Sequence, residues 1–160
     1  MSYVVKSISA FRSIAVVGGL VYSAHGPYIM PAADVLTVSA SPAAMKVTTA
    51  TAGSQPNAAT NNLTTYTVNA KKATSPMKIQ GYLSAVMPSN TALTINMVPP
   101  TGATPKGTVT LDGTARDLVG NITNTTAEQN MITYTLSATV LAGVVVSQSR
   151  TLFFTLVAGP

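Results

Sequence analysis

Met131-Ile132-Thr133-Tyr134-Thr135-Leu136-Ser137-Ala138-Thr139-Val140 is the stretch that decides the fold. Ile132, Tyr134, Leu136, Ala138 and Val140 fall on alternate positions, with Thr133, Thr135, Ser137 and Thr139 between them. Successive side chains of a strand point to opposite faces, so a strict period of two describes a strand with one apolar and one wet face. A helix would need its apolar residues three and four apart.

The same period recurs outward from this run. Leu36, Val38 and Ala40 alternate with Thr37 and Ser39, and Tyr66, Val68 and Ala70 with Thr65, Thr67 and Asn69. Met77, Ile79, Leu83, Ala85 and Met87 alternate with Lys78, Gln80, Tyr82 and Ser84. Leu93, Ile95 and Met97 alternate with Thr94 and Asn96, and Val109 and Leu111 with Thr108 and Thr110. Leu152, Phe154 and Leu156 alternate with Thr151, Phe153 and Thr155. Turn chemistry separates the runs: Ser41-Pro42, Gly53 to Asn57, Thr74-Ser75-Pro76, Pro88-Ser89-Asn90, Pro99 to Gly102, Asp112-Gly113 and Ala142-Gly143. No helical stripe follows residue 34. The pattern predicts an all-β fold of about eight strands, an antiparallel two-sheet sandwich of immunoglobulin-like or jelly-roll type with an N-terminal arm. The predicted core is Val38, Val68, Ile79, Leu83, Leu93, Ile95, Val109, Leu111, Ile132, Tyr134, Leu136, Leu152, Phe154 and Leu156.

Composition agrees. Of 160 residues, 46% are hydrophobic and 8% charged, against about 25% charged in an ordinary soluble domain. Twenty-four residues are Thr. Such a chain has too much apolar surface and too little charge to be disordered. Without Cys it has no disulfide, thiolate metal site or thiol nucleophile. The net charge of +5 is spread along the chain, and only Lys71 and Lys72 are adjacent. A nucleic-acid face needs clustered cations, so no nucleic-acid partner is expected.

Residues 1–33 read differently from the sandwich domain expected over 34–160. Lys6 and Arg12 precede the apolar run Ile14 to Ala24, the outline of a secretory leader. Tyr22 stands where a cleavage site wants a small residue, and the run is too short to span a bilayer, so no stable membrane span is expected. We expect an assembly arm built on Val4, Val5, Ile8, Phe11, Ile14, Val16, Val17 and Leu20; an ordinary first strand of the same domain is the plainer alternative. Gly26-Pro27 and Met30-Pro31 break regular structure and act as the linker.

From Leu63 to Val157 the chain resembles the immunoglobulin-like or pilin-like domains of phage virion and bacterial surface proteins. The closing pair carries the resemblance: Ile132 to Thr139, and Ser149-Arg150-Thr151-Leu152-Phe153-Phe154-Thr155-Leu156. The Cys-Trp-Cys core of true immunoglobulin domains is absent. The resemblance implies a fold and no site.

A search for chemistry finds little. The lone His25 sits beside Gly26-Pro27 in the linker, and a lone His there defines no Ser-His-Asp set. The acids are Asp34, Asp112, Asp117 and Glu128. Asp112 and Asp117 flank a turn without the alternating acids of a calcium loop, so we expect turn chemistry for Asp112 and a surface pairing of Arg116 with Asp117. Gly18-Gly19 lacks the Lys-Ser/Thr ending of a phosphate loop. Tyr82 is the best candidate for sugar stacking. Asn62, Asn121 and Asn124 begin glycan-acceptor triplets. No catalytic residue, cofactor or metal is expected.

What remains is assembly. An outer face of hydroxyls rather than charges, with Phe153 and Val157 on the outer side of the last strand, suggests that neighbours cover it. We therefore expect a non-enzymatic structural subunit of a large symmetric assembly: a decoration, minor capsid or tail component of a phage virion. Its partners would be other copies of itself and other particle subunits. The alternative is a secreted pilin-like filament or surface-layer subunit at the cell surface, assembling by N-terminal strand exchange. A third class is a carbohydrate-binding module.

Overall fold

The computed structural model describes residues 3–8, 34–71 and 75–160. Its described elements are strands apart from one 3₁₀ turn, Val140–Ala142. In chain order the strands are β1 (Tyr3–Ile8), β2 (Val35–Val38), β3 (Met45–Val47), β4 (Ala59–Asn69), β5 (Met77–Leu83) and β6 (Thr91–Met97). They continue as β7 (Thr104–Pro105), β8 (Thr108–Thr110), β9 (Arg116–Ile122), β10 (Glu128–Ala138), β11 (Gln148–Arg150) and β12 (Leu152–Ala158).

Two antiparallel sheets make the sandwich. One has the order β2-β4-β10-β6-β8, the other β12-β5-β9-β7. The deciding stretch is the centre of the first sheet: β10 pairs with β6 from Ile132↔Met97 to Ala138↔Thr91 and with β4 along its other edge. Where β4 and β10 meet, the register slips between Ile132 and Tyr134. The sheets close on each other where β6 approaches β9 and β2 approaches β12.

The core follows from the alternation. Val68, Ile79, Leu83, Leu93, Ile95, Leu111, Ile132, Tyr134, Leu136 and Leu152 are buried, and Val38, Val109, Phe154 and Leu156 pack against them half-buried. Apolar burial of this kind is the main stabilising term of a domain without disulfides. Tyr66 and Tyr134 are buried with their hydroxyls satisfied: Tyr66 donates to the Val98 carbonyl at 2.5 Å, and Tyr134 is hydrogen-bonded with Thr64. Burial pushes both phenols above their ordinary range, because the phenolate cannot be solvated there. Among the described residues no buried side-chain nitrogen or oxygen lacks a partner.

The outer face of the first sheet is wet with hydroxyls. Thr110, Thr94, Thr135 and Thr60 form one row across β8, β6, β10 and β4. Threonine suits such a face because its branched carbon packs on the pleat while its hydroxyl meets water.

Several boundaries depart from the sequence reading. β10 runs Glu128–Ala138 and not Met131–Val140, because Val140 starts the 3₁₀ turn. β5 stops at Leu83, where the Ser84 N–H turns aside to the Thr151 carbonyl, so Ala85 and Met87 lie beyond the strand. More than eight strands are present, since β3 and β7 are too short to show a period. β9 was not anticipated at all. Its burial runs Leu118, Val119, Gly120 in succession, and Asn121 takes a φ of 53°. The ladder with β5 shifts register twice along it. A bulged strand loses the period of two by which strands are found.

A third, small sheet has the order β11-β1-β3. Here β1 pairs antiparallel with β3, Tyr3↔Val47 to Val5↔Met45, and parallel with β11, Val5↔Gln148 and Ile8↔Arg150. The backbone partners of Val4, Val5 and Ile8 are thus strands of the same chain. Phe11, Ile14, Val16, Val17 and Leu20 lie outside the described residues, as does His25.

Candidate functional site

Three carboxylates are bound close to where they stand, Asp112, Asp117 and Glu128. Arg116 does not pair with Asp117: they are successive strand residues and point to opposite faces. The Arg116 guanidinium meets the Asp112 carboxylate at 2.6 Å, and Asp112 also accepts the Thr114 N–H at 2.7 Å, which closes the turn. The Arg116 hydrogen bond, then that turn bond, hold the Asp112 carboxyl below its ordinary value. Asp117 accepts from Gln80 Nε2 at 2.7 Å and from Lys78 Nζ at 3.2 Å across the β5–β9 ladder. These bonds, Gln80 first, lower its pKa against the opposing effect of burial. Glu128 accepts the Thr101 N–H. Each of these carboxylates supports a turn or a sheet. Among the described residues no group of three His, Cys, Asp or Glu could hold a metal.

Tyr82 and Phe153, the outward aromatics, cover each other. They are opposite residues of β5 and β12, with ring centroids 4.9 Å apart and planes 20° apart. Both are half-buried, as is Val157, which lies opposite Lys78. A Tyr already stacked on a neighbour offers a sugar ring only its other face.

The most apolar surface lies at one end of the sandwich. After β10 the chain runs Thr139-Val140-Leu141-Ala142-Gly143-Val144-Val145-Val146-Ser147 without a charge. Leu141 is 77% exposed, Val146 72%, Val144 71%, Val86 64% and Val140 57%. Hydrogen bonds gather these residues from separate loops. Thr139 N donates to the Asn90 carbonyl at 2.9 Å, and Asn90 Nδ2 to the Leu141 carbonyl at 3.3 Å. Val140 N donates to Gln55 Oε1 at 2.8 Å, and Arg150 Nε to the Val86 carbonyl at 3.1 Å. Gly143 makes the reversal with a φ of 62°. Beneath lies a cavity of about 20 Å³ between Val47, Met87, Leu136 and Val145. It has room for about one water and no organic ligand.

Sequence reasoning missed this end, because Ala142-Gly143 reads as a plain turn between strands. The signal was present: valines and a leucine on both sides of a turn glycine, where turns are ordinarily polar. No described helix is long and apolar enough to cross a membrane. No family model, curated protein or solved structure matches the chain.

Proposed function

We propose that this chain is a non-enzymatic structural subunit of a large symmetric assembly, in the form of a decoration, minor capsid or tail component of a phage virion. The observation that carries this reading is a sandwich with a row of threonines across the outer face of one sheet and an exposed apolar end. A monomer that must stay soluble normally interrupts its edges and loops with charge. Here β12 runs for seven residues without one, and the five most uncovered side chains of the apolar end have no charge among them. Local use of the Asp112, Asp117 and Glu128 carboxylates fits a scaffold better than a catalyst. The proposed arm contacts of Phe11, Ile14, Val16, Val17 and Leu20, together with Phe153 and Val157, belong to the same reading. Sedimentation velocity of the purified full chain, followed by negative-stain microscopy of any fast-sedimenting species, tests it. Regular particles or rings are expected; a monodisperse monomer at every concentration overturns it.

A secreted filament subunit is the second reading, and β1 favours it. A six-residue strand lies between β3 and β11 with parallel pairing to β11. A strand that pairs through main-chain bonds along two edges can be supplied equally by a neighbour. Filaments instead of closed particles in the same micrographs would select this reading.

A further inference from the structure

We propose that the apolar end formed by Val86, Val140, Leu141, Val144 and Val146 is the surface through which two copies of this chain pair about a two-fold axis. The inference rests on the assembly reading above and assigns the contact a place and a partner. The five side chains are 57% to 77% exposed. Together they open on the order of 500 Å² of apolar surface, within the roughly 300–600 Å² of the largest patch on a typical monomer. A standard interface takes about 800 Å² from each partner, and homodimer interfaces are about 65% apolar. About 520 Å² of apolar surface per copy is the corresponding amount, of the same order as this end exposes. Exposed polar residues adjoin it: Gln55 is bonded to Val140, and Thr139 and Ser147 flank the run.

Charge selects a second copy as the occupant. A two-fold contact lays a patch against itself, so any net charge in the patch meets like charge. A chain of net charge +5 pairs with itself most easily through an uncharged surface. No charge lies between Thr139 and Ser147. Arg150, at the edge of the patch, is turned to its own chain by bonds to the Val86 and Ser149 carbonyls and to the Gln148 side chain. The loops that carry the patch are tied to one another, so the surface is formed before the partner arrives and little ordering entropy opposes binding.

Sedimentation equilibrium of the full chain and of its L141D and V144D variants tests the proposal. Both side chains are exposed, so the fold survives either change. Self-association at least a hundredfold weaker in both is expected. Variants that associate like the wild type overturn the two-fold contact while leaving the assembly reading standing; a wild type that stays monomeric overturns both. Cross-linking is the second measurement. The chain has no Cys, so L141C introduces a single thiol. A flexible bismaleimide linker should give a covalent dimer with L141C and none with L63C, whose parent side chain is 80% exposed on β4. An L141C thiol that reacts with a single maleimide and gives no cross-linked dimer overturns the proposal, as does capture of a different particle component at this end.

Discussion

Phe153 lies flat against Tyr82, one from the edge strand β12 and one from β5, with their centroids 4.9 Å apart. The register that puts Leu152 opposite Leu83 in the core puts this pair directly opposite on the outer face. Cross-strand aromatic pairs are worth about 0.5–1.5 kcal/mol beyond their burial. A double-mutant cycle of Y82A and F153A, read by urea denaturation, should therefore give a coupling energy in that range. Additive losses would mean that the rings are neighbours without being partners.

Gly81 is the inward residue between Gln80 and Tyr82. A methyl group there would stand 2.7 Å from Leu118 Cδ1. Leu118 is itself buried at 1% exposure, so its methyl has no free space to enter. Overpacking of this kind costs about 1–3 kcal/mol. G81A should lower the urea midpoint by a corresponding amount, and G81A/L118A should lose less than the sum of the two single changes.

The register of β10 predicts a contrast between adjacent residues. Leu136 is 2% exposed in the core, while Thr135 stands in the threonine row of the outer face. L136A should cost about 2–5 kcal/mol, the usual range for a buried Leu. T135A should cost well under 1 kcal/mol, as surface changes do. A reversed order of losses would require a one-residue slip of the strand.

Legibility along the chain follows the same physics. Leu93, Ile95, Ile132, Tyr134 and Leu136 are read from sequence because their strands are long, half-buried and unbroken. Leu118, Val119 and Ile122 are equally buried, yet the bulge of β9 removes the period that would show them. Met45 and Val47 sit on a strand of three residues, too short to alternate visibly. The ion pairs were missed by one residue: Arg116 and Asp117 are adjacent in sequence and opposed in space, and strand pairing brings Lys78 to Asp117. Leu141 and Val144 were missed because exposure is a property of the folded loop, and an apolar residue in sequence carries no mark of it.

Acid should weaken the fold through Asp117. A carboxylate whose pKa is lower in the folded state adds stability that is fully present above its unfolded value, here 3.8, and is lost as the pH falls through the folded value. Asp112, shifted the same way, acts in the same direction. Urea midpoints should hold steady from pH 7 to about pH 5 and fall below about pH 4. In D117N the difference between pH 7 and pH 3 should be smaller than in the wild type. An undiminished acid response in D117N would exclude Asp117 as a source of it.

Removal of residues 2–24 separates folding from assembly. The deletion takes away β1, which belongs to the small sheet with β3 and β11 and to neither sheet of the sandwich. Among the described residues the ladder bonds lost are few, each worth about 0.5–1.5 kcal/mol net. That is a fraction of the roughly 5–15 kcal/mol that holds a domain together. The truncated chain should therefore keep its β-sheet circular dichroism and a cooperative, lower-melting transition. Its apolar end remains intact, so it should still pair through Leu141 and Val144 while forming no larger particle. Sedimentation velocity distinguishes the three cases. A dimer that never grows supports an assembly arm, particles of normal size deny it, and an unfolded chain shows β1 to be an integral strand of its own domain.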